Sequence, residues 1–213
     1  GYYWFVLKPE HQRRKGREAP PEIAWLPSKW KQLTRGKGVT LLTDEILYDY
    51  LANNEEYTNA RVLDQVRIEN AQYVSYEAGQ ALLLIVKASF TEGFPEWYFL
   101  PLALREGDYK IDPEAPPADH IVAVLRQDNK EAYLFDATER KGFHHILLRR
   151  ILSKGSRAPQ GFHFRRRRGL KLEKESFEEL PLSREVVTGG NNLSLFFGDQ
   201  YFLKIGRQLV NPG

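Results

Sequence analysis

Near its carboxy end the chain reads GGNNLSLFFGDQYFLKIGR, residues 189 to 207. Gly189, Gly190 and Asn192 allow backbone conformations that turn N–H groups toward an anion, and the side chains of Asn191, Asn192 and Ser194 add donors. After an apolar run and a Gly198-Asp199 turn, a second strand carries Lys204. If residues 200 to 206 are extended, Lys204 shares a face with Gln200 and Phe202, while Tyr201, Leu203 and Ile205 take the opposite face. One face then packs on a core and the other leaves an ammonium beneath a turn. The chemistry available is the grip of a phosphate. The plainer alternative is a solvated lysine at a hairpin edge.

Other constellations carry less chemistry. Arg165 to Arg168 could meet phosphate backbones, but Phe162 and Phe164 alternate in front of them, as on an edge strand kept soluble by charge. His144 and His145 are adjacent and would point about 100° apart on a helix, so they do not form an i, i+4 metal pair and read as surface and rim residues. Glu55-Glu56 and Glu178-Glu179 have no companion nucleophile or base and read as solvated faces. Arg35-Gly-Lys-Gly38 lacks the rest of a Walker sequence and a preceding strand, and reads as a turn before a helix.

The 213 residues suffice for one large domain or two small ones, with 42% hydrophobic and 28% charged residues. With 31 basic and 28 acidic side chains the formal charge is +3, too balanced for a dedicated nucleic-acid binder. No cysteine is present, which excludes disulfides and thiolate metal sites and suits a reducing cytoplasm. No apolar run approaches the ~20 residues needed to cross a bilayer. The expectation is a cytoplasmic protein that binds neither nucleic acid nor membrane. The lack of methionine reads as a fragment cut from a longer protein, or as a sequence from which some residues are missing.

These pieces need elements to position them. GYYWFVLKP reads as a strand, ended by Pro9, and EHQRRKGREAPPE as an exposed linker. Thr43 or Asp44 can cap a helix with Ile46, Leu47, Tyr50 and Leu51 on its apolar face. Strand patterns follow in ARVLDQVRIE, QYVSYE, ALLLIVKASFTE, EWYFLPLALRE, HIVAVLRQ and EAYLFDA, with hairpin turns at Glu92-Gly93-Phe94 and Asp128-Asn129. TERKGFHHILLRRILSKG predicts a helix with Phe143, Leu147, Leu148, Ile151 and Leu152 inward and Gly155 as its stop. GFHFRRRRG reads as a further strand before the closing hairpin. The fold class is α+β: antiparallel β-sheets flanked by helices.

NNLSLFFGDQYFLKIGR resembles the maltokinase pattern Ser-Asn-Thr-Ser, two or three apolar residues, Gly-Asp, two variable positions, then Ile-Leu-Lys-Leu and a basic residue. On that pattern Asn191, Asn192, Leu193 and Ser194 fall on the phosphate-loop tetrad, Gly198-Asp199 on the turn and Lys204 on the nucleotide-phosphate lysine. Asn191 and Leu193 stand where the family has hydroxyl residues. TEGFPEWYFLPLAL is similar to the family hairpin that ends in Tyr-Xaa-Leu-Pro-Leu, and YLFDATERKGFHHILLRRILSKG to its Tyr-Asp-Ala segment and helix. REVV before the loop also fits. The family's Arg-Trp-Phe after a Tyr-Leu helix end is replaced here by ANNEEYTNARV. GYYWFVL resembles the last strand of the carboxy-terminal β-domain of trehalose synthase, which some bacteria fuse to maltokinase.

The resemblance implies the truncated amino-terminal part of a protein-kinase-like (aminoglycoside phosphotransferase-like) fold. Residues 1–8 would close a trehalose synthase β-domain, 9–22 would be the linker, and 23–110 the maltokinase cap. Residues 111–213 would be an intermediate domain and the start of the kinase N-lobe. For the parent it implies ATP and Mg²⁺ as cofactor and metal, maltose as substrate, maltose 1-phosphate as product and a trehalose synthase domain in cis. The nucleotide contacts would be Asn191, Asn192, Ser194 and Lys204. The catalytic and metal-binding carboxylates belong to motifs like His-Gly-Asp and Asp-Phe-Glu, which do not occur in this sequence. The expectation is therefore no catalytic residue, bound ATP or turnover in the 213 residues themselves. A non-enzymatic assembly module for the synthase domain is the alternative.

Overall fold

A computed structural model describes residues 19–76, 79–152, 181–186, 192–199 and 201–209. The expected strands at 1–8 and 161–169, most of the linker, Arg165 to Arg168 and Gly189 to Asn191 lie outside them. The described chain is mixed α+β, with mainly antiparallel sheets and few helices. Among the described residues no helix is long and apolar enough to cross a membrane.

The large sheet has seven strands: β1 (Glu22–Ile23), β2 (Leu63–Tyr76), β3 (Gly79–Phe90), β4 (Glu96–Glu106), β5 (Ile121–Gln127), β6 (Lys130–Asp136) and β10 (Gln208–Leu209). They lie in the order β1-β5-β6-β4-β3-β2, and β10 pairs with the first part of β4. A smaller sheet holds β7 (Ser183–Val186), β8 (Asn192–Phe197) and β9 (Tyr201–Gly206) in that order. Among the described residues all pairings are antiparallel except β1 with β5.

The hydrophobic run of β3 has its explanation in two covered faces, since a strand buried on both sides loses the apolar–polar alternation. Leu82, Leu84 and Val86 join a core with Leu42, Ile46, Leu47 and Leu51 from the helical segment that precedes β2. Ala81 and Leu83 face the other way, into a core with Phe143, Leu147, Leu148 and Leu152 of α4 (Lys141–Leu152) and with Leu193, Leu195, Phe197 and Ile205 of the small sheet. The molecule thus has a helical layer, a central sheet, and a third layer of helix plus hairpin sheet.

Several expectations change. The first helix starts earlier than Thr43: α1 (Lys37–Thr40), a π-helical stretch Leu41–Leu47 and α2 (Tyr48–Ala52) follow without a break, and α3 (Glu55–Thr58) comes after a turn. Thr43 therefore lies inside the helix, where its hydroxyl donates back to the Val39 carbonyl at 3.0 Å rather than capping. Ile46, Leu47, Tyr50 and Leu51 are all buried, as their spacing requires. Arg35 and Gly36 form the turn before that helix. The two runs ARVLDQVRIE and QYVSYE are one strand, because the polar interruption is absorbed by a register shift between Ile68 and Asn70. Glu22, at the end of the expected linker, is already in β1. The expected division at 110/111 falls inside one sheet, since β4 on one side of it pairs with β6 on the other.

Candidate functional site

The closing hairpin forms where the sequence places it. β8 and β9 pair with Asn192 opposite Gly206, Ser194 opposite Lys204, Phe196 opposite Phe202 and Phe197 opposite Tyr201. Gly198 starts the turn at φ +53, a backbone region that suits a residue without a Cβ. Residues opposite one another share a face of a sheet, so Asn192, Ser194, Phe196, Phe202 and Lys204 point one way. Leu193, Leu195, Phe197 and Ile205 point the other way and are buried.

The expected face of β9 is present: Phe202 and Lys204 are exposed, Ile205 is buried and Tyr201 and Leu203 are half-buried. Full burial of Leu195 and Phe197 stabilises the hairpin on the core by about 1.5–3 kcal/mol for each side chain. Lys204 is thereby held on a fixed strand with its ammonium toward solvent. Phe202 stacks at a tilt on Phe196, ring centroids 4.9 Å apart, and the Arg184 guanidinium stands 6.0 Å from the Phe196 ring.

The nucleotide contacts expected from sequence are not alike. Asn192 is exposed on the same face as Lys204, and its carboxamide oxygen lies near Gly206. Ser194 is directly across from Lys204 but only 1% exposed. Asn191 lies outside the described residues. Among those residues no group of three or more His, Asp or Glu side chains is placed to hold a metal ion.

A second polar cluster lies behind the hairpin, and the sequence reading missed it. Asp136 ends β6 and is 3% exposed. Its Oδ1 accepts the Thr138 backbone N–H at 2.9 Å and the Thr138 hydroxyl at 2.7 Å, and its Oδ2 pairs with Arg207, the residue after β9. A second arm of Arg207 donates to the Thr138 hydroxyl oxygen at 2.7 Å. Burial alone would raise the Asp136 carboxyl, but Arg207 and the two Thr138 donors hold it below the usual 3.8.

His144 on α4 completes the cluster. It is 5% exposed, which corrects the reading of this residue as surface or rim. Its spacing to Leu147 and Leu148 is that of the helix's inward stripe, and this was the signal available in the sequence. Nε2 lies 2.5 Å from the Thr138 carbonyl and Nδ1 2.8 Å from the Ser183 hydroxyl. A carbonyl only accepts, so Nε2 carries the hydrogen and Nδ1 accepts from Ser183. Burial pushes the imidazole below its ordinary 6.5 and keeps it neutral. His145 is half-buried and donates from Nε2 to the Pro181 carbonyl at 3.1 Å.

In comparisons with known proteins, no family model matches the chain and no curated protein matches it.

Proposed function

We propose that residues 192–206 are part of the phosphate-holding hairpin of a maltokinase-like phosphotransferase with a protein-kinase-like N-lobe. The observation that carries this reading is the pairing of Ser194 with Lys204 across a hairpin anchored by its buried inner face. A lysine displayed from such a strand meets phosphate oxygens with little reorganisation, which is how catalysis by positioning works in phosphoryl transfer. Asn192 beside it supplies neutral donors, and the Phe196–Phe202 pair gives an aromatic surface of the kind on which a base stacks.

The assigned parent reaction transfers the terminal phosphoryl group of ATP to the anomeric hydroxyl of maltose, releasing ADP and maltose 1-phosphate. A trehalose synthase domain in cis and a cytoplasmic location go with it. Kinases of this shape use Mg²⁺ between the phosphates. Among the described residues no group of three or more His, Asp or Glu is placed to hold that metal, and the part proposed for this chain is to hold and orient phosphates through Lys204 and Asn192. The test is maltose-dependent ADP formation by this chain beside an extended protein continued past Gly213. Activity is expected only from the extended protein, and turnover by the short form would overturn the assignment.

The second reading is an assembly module for the synthase domain, favoured by the exposed Phe202 on β9 and the exposed Leu182 immediately before β7. Protection of the hairpin amides by the synthase domain and not by Mg·ATP would select it.

A further inference from the structure

The Asp136–Thr138–Arg207 cluster is not part of the phosphate grip, and charged side chains buried so deeply are costly unless they are paired and hydrogen-bonded, as these are. It sits where two sheets are joined. On leaving β9 the chain passes through Arg207, whose carbonyl accepts the Phe99 N–H at 2.7 Å, and Gln208–Leu209 then pair with β4. The Arg207 side chain, 12% exposed, turns inward to Asp136 and Thr138, with the Tyr57 hydroxyl at 3.5 Å. On the opposite strand of the small sheet, Ser183 of β7 is tied through His144 to the carbonyl of the same Thr138. Both outer strands of the three-stranded sheet are therefore fixed to one point at the end of β6, and Lys204 lies three residues before Arg207.

We infer that Arg207 is a positioning residue for the phosphate hairpin: by bridging Asp136 and Thr138 it fixes the base of β9 and so the direction in which Lys204 is presented. The inference rests on the phosphate reading proposed above for its functional meaning. Arginine is suited to the task because its planar fork reaches two acceptors in a fixed geometry, which a lysine cannot do.

The experiment compares amide hydrogen exchange in the full chain, without nucleotide, for the wild type, Arg207→Lys and Leu47→Ala. Leu47→Ala removes core volume in the helical layer and provides the pattern of general destabilisation. Arg207→Lys is expected to speed exchange of the β8 and β9 amides about tenfold while β2 and β3 keep their protection. No change, or the same acceleration in both sheets, overturns the inference. If Arg207→Lys does not fold, Thr138→Val, which removes the bridging hydroxyl and keeps the charge pair, is read in the same way. In the extended protein Arg207→Lys is expected to raise the KM for ATP about tenfold and leave the KM for maltose unchanged. An equal rise in both contradicts a positioning role. Should Lys204→Ala leave ATP use untouched, the phosphate reading fails, and the exchange result still decides whether Arg207 anchors the hairpin.

Discussion

Arg207 and Asp136 form a buried ion pair that joins the end of β9 to the end of β6. Removing one partner leaves a charge in the interior with no counterion, so Arg207→Met and Asp136→Asn should each cost about 3–5 kcal/mol. Removing both together should cost clearly less than the sum, because neither charge is then stranded. Urea unfolding of the two single variants and the double variant measures this, and strict additivity would show that the pair is not coupled.

The His144 imidazole provides a pH test. Burial is the main cause of its lowered value, His145 and Lys141 add to it, and the Thr138 carbonyl and Asp136 oppose it. The folded state thus binds the proton less readily than the unfolded chain does. The stability this gives is fully present above the unfolded value near 6.5 and is lost as pH falls toward the lower folded value. Asp136 acts in a second, more acidic window, contributing above about 3.8 and losing its contribution below it. Thermal unfolding between pH 7.5 and 5 should show a decline that His144→Gln flattens, and an equal slope in both proteins would show that His144 does not carry the effect.

Gly38 is the second residue of α1 and lies against the 3-10 helix Trp30–Thr34 that precedes it. A Cβ there would stand 2.0 Å from the Gln32 carbonyl oxygen, which is backbone and cannot swing away. Gly38→Ala should therefore destabilise by about 1–3 kcal/mol or more, as overpacking does, despite alanine's better helix propensity. Calorimetry showing a variant as stable as the wild type would mean that the Lys29–Gly38 segment rearranges freely.

Local patterns were readable in the sequence to the extent that local physics set them. The bounds of β4 match EWYFLPLALRE, and the Asp128-Asn129 turn lies between β5 and β6 with Asp128 at φ +55. The Lys204 face followed from period-two alternation alone. Pairings between distant segments were not readable. Nothing in Glu22-Ile23 announces a strand, because two residues have no period and the ladder is supplied by β5. Arg207 reads only as a basic residue after a strand, since its partners Asp136 and Thr138 come from the end of β6 and the turn after it, far away in the sequence. For His144 the pairing with His145 suggests metal geometry, whereas its position beside Phe143 and one turn before Leu147 marks it as interior.

Lys204 is proposed to hold nucleotide phosphate. The most direct test is the rate of maltose-dependent ADP formation by the extended protein, with Lys204→Ala compared with the wild type at saturating maltose and after both are shown to be folded. Loss of a group that stabilises transferring charge lowers turnover by about 10²–10³, and a fall of that order is the expected result. A near-normal rate in Lys204→Ala would contradict the assignment.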